Sequence, residues 1–443
     1  MNLSYLFQVR LFYLLVINYH WQIEDHHCYG NNVKGRVWYM SEALKGIKVV
    51  DLSRILAGPW ASQMLADMGA EVIKVERPKK GDDTRHWGPP FIKPAQDNEP
   101  AQAAYYHSAN RNKQSIAIDI TQRQGQQVIK DMITKADVLI ENYKVGGLEK
   151  YGLSYQQVKK LNPKLVYCSI TGFGQHGPYA HKAGYDAMIQ GEGGLMSLTG
   201  AADGEPMKVG VAVIDVMTGL YSANAILAAL LAKAHTDKGQ HIDIALLDVQ
   251  VATLANQGMN YLATGENPKR LGNAHPNIVP YQTFATNDGS LILAIGNDQQ
   301  FERFCRAAQC SALANNALFK TNQHRVENRI ELVPILALII AKQSTDYWVT
   351  ILEAIAVPCG PVNTLKQIFN HPQIHHREMV KQVPDKDGRL IKTVASPINL
   401  SDTPLQYKHA APNIGQHSQQ ILTQFLQYND EKVAALLQAG VVT

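Results

Sequence analysis

The chain has 443 residues, of which 45% are hydrophobic and 18% charged; these proportions exclude extensive disorder and fit a globular protein of two or three domains. A formal net charge of +4, scattered along the chain, does not predict a nucleic-acid partner. The five cysteines form no C-x-x-C pair and no histidine cluster has ligand spacing, so we expect free thiols in the reducing cytoplasm and no metal site.

The first 39 residues differ from the rest. An apolar, aromatic stretch, LSYLFQVRLFYLLVINY, precedes a polar one. It is too short and interrupted for a membrane span, and it lacks a small-residue cleavage site. Met40 begins the stretch MSEALKGIKVVDLS, which resembles a natural translation start. The hypothesis is therefore that residues 1–39 are an N-terminal extension, disordered or peripheral, and that the protein does not associate with a membrane.

From Gly46 onward, short apolar runs alternate with helical patterns. IKVVDLS, EVIKVE, SIAIDI, DVLIEN and LVYCSI are typical of strands, and PWASQMLADMG, QGQQVIKDMITKA and SYQQVKKLN are typical of helices. Such an alternation predicts a mainly parallel, doubly wound sheet. We therefore expect an α/β fold with a large Rossmann-like domain over residues 40–250, which ends in a long Ala- and Leu-rich helix from 215 to 236 and the segment after it.

The composition changes after residue 271. YQTFATNDGSLILAIG predicts a hairpin that turns at 287–289, and QQFERFCRAA, IELVPILALIIAK and DYWVTILEAI predict helices. The predicted organisation is a linker over 251–271, a small α+β domain over 272–385, and a C-terminal segment over 386–443 that returns to the large domain.

A glycine pattern follows the last of the early strands. TGFGQHGPY, residues 171–179, fits the dinucleotide fingerprint G-x-G-x-x-G. That motif also needs a helix that begins at the glycines and an acidic residue about 20 positions later. Pro178, Gly184 and the run GEGG interrupt the segment instead. The favoured interpretation is a glycine-rich loop after a strand, and dinucleotide binding is the minority one.

Several stretches carry a family resemblance from Gly46 to Val442. GDDTRHWGPPF, NRNKQSIA, AGYDA, VIDVMTG, GNAHPNIVPYQTF and LLQAGVV resemble the family III CoA-transferases, of the formyl-CoA and carnitine-CoA transferase type. Within that family they are most similar to the group that acts on succinate, glutarate and hydroxymethylglutarate. The resemblance implies an interlocked homodimer that takes acyl-CoA and small carboxylic acids as substrates and needs no cofactor. Succinyl-CoA is the expected donor, and a dicarboxylate such as glutarate the expected acceptor.

The resemblance places the nucleophile at Asp215, within VIDVMTG. Its carboxylate would attack the thioester and form an acyl-aspartyl anhydride, then an aspartyl-CoA thioester, before the acceptor reverses these steps. Judged by position alone, an aspartate just before a long helix is more often an N-cap, which accepts hydrogen bonds from amides of the first turn. The two roles are compatible, because the positive end of the helix favours an ionised carboxylate.

Tyr185 and Asp186, in AGYDA, help to distinguish a transferase from a racemase of the same fold. Acyl-CoA racemases of this fold carry a histidine where this chain has Tyr185, because proton transfer α to a thioester needs a near-neutral pKa. Tyrosine titrates near ~10 in model peptides. The resemblance therefore favours a transferase, with an acyl-CoA racemase or isomerase as the alternative, and a CoA-binding protein without catalysis as a third. We expect Asp186 to orient the acceptor or the nucleophile, or else to be a structural carboxylate.

The remaining expected site residues bind CoA or the acceptor acid. The resemblance assigns the nucleotide end of CoA to Ile55, Leu56, Ala57, Arg77, Asn142, Tyr143 and Lys150. Formyl-CoA transferases have a glutamine where this chain has Leu56, which argues against formate or oxalate. The second carboxylate of a dicarboxylic acid needs a cation, and Arg85 and Arg111 are the candidates, unless they form surface salt bridges. His275 is expected to shape the active-site loop; its role as a general base is the minority interpretation.

Overall fold

The computed structural model describes residues 42–93 and 101–443, so the predicted extension over 1–39 lies outside the described residues. The centre of the fold is a sheet of six strands: β1 (Lys48–Asp51), β2 (Glu71–Glu76), β3 (Gln114–Ala117), β4 (Val138–Glu141), β5 (Val166–Thr171) and β6 (His241–Ala245). The strands are parallel and lie in the order β3-β2-β1-β4-β5-β6. This order is that of the dinucleotide-binding Rossmann fold. The predicted Rossmann-like parallel sheet is confirmed.

Neighbouring residues of each strand enter two different cores, one on each face of the sheet. Val50 and Leu139 pack with the helix Arg123–Thr134 and the C-terminal helix Asp430–Gln438. Val49 and Val138 pack on the other face, against the helices Ala57–Asp67 and Val213–Thr236. Because both faces are covered, the strands are almost continuously apolar, as is usual for parallel sheets.

A second, antiparallel sheet has its own core. Tyr281–Ala285, Ser290–Ala294 and Cys359–Pro361 form it, and the first two make the predicted hairpin. Its core is covered by the helices Asp298–Ala307, Ser311–Asn315, Asn322–Glu327, Arg329–Ile340 and Thr345–Glu353. The predicted linker contains the helix Ala255–Thr264. The exact domain boundaries stay predictions.

The remaining elements are short. Val380–Pro384 pairs with Leu390–Val394, and Phe91–Ile92 pairs with Gln102–Ala103. The other helices are Ala104–His107, Tyr155–Val158, Asp186–Glu192, Leu195–Leu198, Leu246–Ala252, Leu365–Phe369, Pro372–His376 and Ser418–Gln420, with 3₁₀ turns at Asp83–His86 and Glu149–Tyr151 and a π-helical turn at Ile421–Phe425. The C-terminal residues lie beside β3, where the Asp119 amide donates to the Val441 carbonyl and the Thr443 amide donates to the Ala117 carbonyl.

The helix Val213–Thr236 is, among the described residues, long and apolar enough by length and composition to cross a membrane. The bent pair Arg329–Ile340 and Thr345–Glu353 passes the same test only if it is counted as one span. One stripe of Val213–Thr236, which includes Ile214, Thr218 and Ile226, is buried against the rest of the protein. This stripe packs in the core on one face of the parallel sheet.

Candidate active site

A cleft of about 430 Å³ lies at the carboxyl ends of β1, β4 and β5. The strand order of the sheet reverses between β1 and β4, and ligands of such sheets bind outside this point. The structure brings together here many of the residues predicted from the sequence: Ile55, Leu56, Ala57, Asn142, Tyr143, Lys150, Tyr185 and Asp215. The predicted nucleophile therefore shares one cleft with most of the predicted CoA-binding residues.

Asp215 is the third residue of the helix Val213–Thr236, so its interpretation as the N-cap is wrong. Ala212 holds the N-cap position and has no side chain that can cap. The carboxylate of Asp186 caps the helix instead, because its Oδ2 accepts from the amides of Ile214 (2.8 Å) and Asp215 (3.3 Å). Its Oδ1 accepts from Gln190 Nε2 at 2.6 Å. Asp186 thus orients the turn that carries Asp215.

The Asp215 carboxyl has a perturbed acidity. Burial, and then the negative charge of Asp186, raise its pKa from 3.8 to about 7. The same two carboxylates act on Tyr105: burial and then the charges of Asp215 and Asp186 raise the pKa of this phenol to about 12. The ring of Tyr105 packs edge-on against Trp87, with 5.5 Å between centroids. Strongly perturbed acids in a cleft are typical of catalytic sites.

The glycine-rich stretch forms a loop between β5 and the helix Asp186–Glu192, as the favoured interpretation predicted. Gly172 lies so close to Gly184 that a Cβ atom on Gly172 would be 2.6 Å from the Gly184 Cα atom. Gly174 and Gly177 have positive φ angles of 87° and 97°. These glycines make a tight loop that brings Tyr185 and Asp186 to the end of β5.

The sequence model described as "CoA-transferase family III" matches residues 44–418. The chain belongs to CoA-transferase family III. It is 52% identical to the succinate–glutarate CoA-transferase of Agrobacterium fabrum, over 86% of this chain and 95% of that protein. It is 43% identical to the human succinyl-CoA:glutarate CoA-transferase, over 90% of each chain.

A solved structure has the same fold. The crystal structure of a CaiB/BaiF family protein from Brucella suis is 49% identical, covers 86% of this chain and 98% of its own, and superposes with a TM-score of 0.77. The resemblance to family III is confirmed, and the protein is a CoA-transferase.

Four cations among the described residues line the cleft of this CoA-transferase. They are Arg54, Lys144, Lys150 and Lys182, and the sequence analysis named one of them, Lys150. Two of the others, Arg54 and Lys144, are next to the predicted residues Ile55 and Tyr143, and that proximity is the signal that could have found them. Cationic side chains suit the phosphates of CoA. Arg77 does not line this cleft but is joined to it, because Asp83 accepts from Arg77 (2.6 Å) and from Arg54 (2.7 Å).

Arg85 and Arg111 lie inside the protein and do not line the cleft. Arg85 donates to both carboxylate oxygens of Glu76, at 2.8 and 2.6 Å, and to the Tyr106 hydroxyl at 2.6 Å. Arg111 donates to both oxygens of Asp67, at 3.0 and 2.5 Å. The ion-pair alternative describes both residues, although the pairs are buried and not at the surface. Their contact with the acceptor acid stays a prediction that this geometry does not favour.

His275 lies outside the cleft of this chain. Its ring stacks on Tyr281, with 5.2 Å between centroids, and its Nδ1 atom accepts from the amide of Asn277. Partial burial and the nearby Arg329 lower its pKa. The predicted role of His275 at the active site stays a prediction. Within residues 42–93 and 101–443, no group of three or more His, Cys, Asp or Glu side chains could hold a metal ion.

Proposed function

We propose that this enzyme moves CoA from succinyl-CoA to a free dicarboxylic acid such as glutarate or hydroxymethylglutarate, with Asp215 as the nucleophile. The observation that carries the proposal is the position of Asp215, in the first turn of a core helix, within the cleft at the switch point of the sheet. The choice of acids is supported by the names of the Agrobacterium and human relatives.

The proposed reaction exchanges one acyl bond at a time. The Asp215 carboxylate attacks the thioester carbonyl, and the C–S bond breaks to give an acyl-aspartyl anhydride and CoA thiolate. The thiolate attacks the aspartyl carbonyl, which releases the donor acid and leaves an aspartyl-CoA thioester. The acceptor carboxylate then displaces the thiolate to form a second anhydride. Attack of the thiolate on the acceptor carbonyl yields the new acyl-CoA and free Asp215. Each step conserves the activation of the thioester, and no prosthetic group is needed.

A dicarboxylate substrate keeps one negative charge that does not react. Among the cleft cations, Lys182 is our candidate partner for this charge, because it is three residues from Tyr185. Its own acidic partner in the chain, Glu192, is 3.5 Å away, and both side chains are partly exposed. The other cleft cations, Arg54, Lys144 and Lys150, are proposed to bind the phosphates of CoA.

The proposed enzyme acts in the cytoplasm as a homodimer. The helix Ala255–Thr264 has no buried residue, and it exposes Met259 (62%) and Leu262 (75%). Leu231, on the helix Val213–Thr236, is 65% exposed. Large apolar side chains left exposed on these two helices favour a protein partner, and a second copy is the partner expected for this family. We expect the wild type to sediment with the mass of two chains; a wild type that sediments as one chain would contradict the dimer.

The proposed function is tested by chromatography of acyl-CoA products. Purified enzyme is incubated with succinyl-CoA and each of a panel of carboxylic acids, and glutaryl-CoA is the expected new product. Asp215→Asn should abolish it. The matched control is Asp346→Asn, since Asp346 also lies in the first turn of a helix but is exposed. A wild type that transfers CoA to no acid, yet exchanges an α-proton of a branched acyl-CoA in deuterated water, would establish the isomerase alternative instead.

A further inference from the structure

The turn between β1 and the helix Ala57–Asp67 has a strained backbone. Ile55 has a φ angle of 72°, in the left-handed region. For a β-branched residue this conformation is a genuine outlier, and it persists only where the surroundings impose it. Ile55, Leu56 and Ala57 all line the cleft that contains Asp215. The strain is therefore located at the active site.

Side chains from other parts of the sheet hold this turn. The Ser53 amide donates to Asp51 Oδ1 at 2.9 Å, and the Ser53 carbonyl accepts from Lys74 Nζ at 2.9 Å. Asn142, which follows β4, binds both backbone groups of Arg54. Its Oδ1 accepts from the Arg54 amide at 2.9 Å, and its Nδ2 donates to the Arg54 carbonyl at 2.7 Å. The residue before Ile55 is thus fixed on both sides of its Cα atom.

The amide of Ile55 itself points to a buried carboxylate. It donates to Asp82 Oδ1 at 3.3 Å, and Asp82 is paired with the fully buried Lys74 at 2.9 Å. Burial would raise the pKa of Asp82, but the charge of Lys74 and hydrogen bonds from Lys74 and Thr84 outweigh it, and the pKa falls to about 2. Asp82 is therefore a permanent acceptor for the strained residue at neutral pH.

The turn also determines how closely two helices approach. A Cβ atom on Gly219 would lie 2.8 Å from the carbonyl oxygen of Ala57, so the first residue of Ala57–Asp67 packs directly on the helix of Asp215. Gly219 is four residues, about one helical turn, after Asp215. A shift of the turn would therefore move Ala57 and Leu56 relative to the nucleophile.

We propose that Asn142 is a positioning residue for CoA transfer, whose side-chain amide acts by holding Arg54 and thereby the strained Ile55 turn, and not by contacting CoA. The inference rests on the proposed function. It reassigns a side chain that the family resemblance gives to CoA binding: the oxygen and the nitrogen of the Asn142 side-chain amide are each hydrogen-bonded to the Arg54 backbone. Asn142 therefore contributes to the cleft by fixing the backbone of the turn that lines it.

The test compares Asn142→Ala with the double variant Asn142→Ala/Ile55→Gly. Without the amide, Ile55 can relax out of the left-handed region, so we expect kcat/KM for succinyl-CoA to fall at least about tenfold. Glycine adopts a positive φ without a steric penalty. The double variant should therefore recover most of the loss, whereas a lost contact between Asn142 and CoA cannot be recovered by a change at position 55.

Asn162→Ala is the matched control. Its Nδ2 donates to the carbonyls of Ile133 and Ala136, at 2.9 Å each, at the opposite edge of the sheet. This variant should lower the melting temperature as Asn142→Ala does and leave kcat and KM unchanged. If Asn142→Ala does not fold, Asn142→Asp replaces it: aspartate keeps the acceptor for the Arg54 amide, loses the donor to the Arg54 carbonyl and adds a negative charge beside that carbonyl. Its kinetic loss is likewise compared with and without Ile55→Gly.

Two results would overturn the inference. They are wild-type kinetics in a folded Asn142→Ala enzyme, and a kinetic loss that Ile55→Gly does not recover. Failure of the proposed function looks different, because the wild type itself would then form no new acyl-CoA. In that case the same variants are compared by calorimetric titration with CoA. We then expect Asn142→Ala to bind CoA more weakly and the double variant to recover most of the affinity.

Discussion

The pH dependence of catalysis should report the pKa of Asp215. Only the ionised carboxylate can attack a thioester, and burial and Asp186 raise its pKa to about 7. With that pKa, roughly a tenth of the enzyme is ionised at pH 6 and roughly nine-tenths at pH 8. We therefore expect kcat/KM for succinyl-CoA to fall about tenfold as the pH decreases from 8 to 6. An aspartate with an ordinary pKa of ~3.9 would stay ionised throughout this range.

The assay measures initial rates of glutaryl-CoA formation at low succinyl-CoA concentration and constant ionic strength, because kcat/KM reports the free enzyme. Asp186→Asn is the diagnostic variant. It removes the like charge that raises the pKa of Asp215, and it keeps an oxygen that can accept from the Ile214 amide. The midpoint should therefore move to lower pH. A wild-type kcat/KM that is constant between pH 6 and 8, or a midpoint that Asp186→Asn moves upward, would refute this account of the carboxyl pair.

Two further predictions concern residues that position the site. Gly172→Ala should lower both kcat and the free energy of unfolding, the latter by ~1–3 kcal/mol in urea, because its Cβ would lie 2.6 Å from the Gly184 Cα atom. Gly360→Ala, whose Cβ would have no atom of the described residues within 4 Å, is the control, and a fully active Gly172→Ala enzyme would contradict the argument. Arg85→Ala should lower the free energy of unfolding by ~3–5 kcal/mol, because it leaves the buried Glu76 carboxylate without its ion-pair partner. Unchanged unfolding with a raised KM for glutarate would instead support direct binding of the acceptor.

The sheet could be predicted from the sequence because the residue patterns that mark its strands and helices are local. Runs such as VLIE, over residues 138–141, are buried on both faces, and the helical patterns between the strands are regular. The helix connections imply parallel strands, and the carboxyl ends of parallel strands share one edge. Ile55, Asn142 and Tyr143 come within four residues after the end of a strand, so their meeting in one cleft follows from the topology.

The partners of some site residues could not be predicted, because they are distant along the chain. Asp215 resembled an N-cap because it stands at the start of an apolar helix, but its helix begins two residues earlier and is capped by Asp186, 29 positions away. Arg111 is paired with Asp67 over 44 positions. A single sequence shows that an arginine is present but not which carboxylate it meets. The left-handed Ile55 was equally hidden, because β-branched residues give no signal for that conformation.

The pairing of Asp186 with Asp215 also bears on the energetics of the proposed intermediates. A cysteine thiol has a pKa of ~8.5, the CoA thiol is at least as weak an acid, and an ordinary aspartate is a weaker base than either thiolate by more than about 4 pKa units, so its carboxylate would expel thiolate only at a large free-energy cost. A pKa of about 7 for Asp215 narrows this gap by roughly 3 units, and the anhydride and the thioester then lie closer in free energy. Asp186→Asn widens the gap again. Its maximal kcat at high pH should therefore be lower than that of the wild type, even though its pH midpoint is lower; a higher plateau would contradict this role for the like charge.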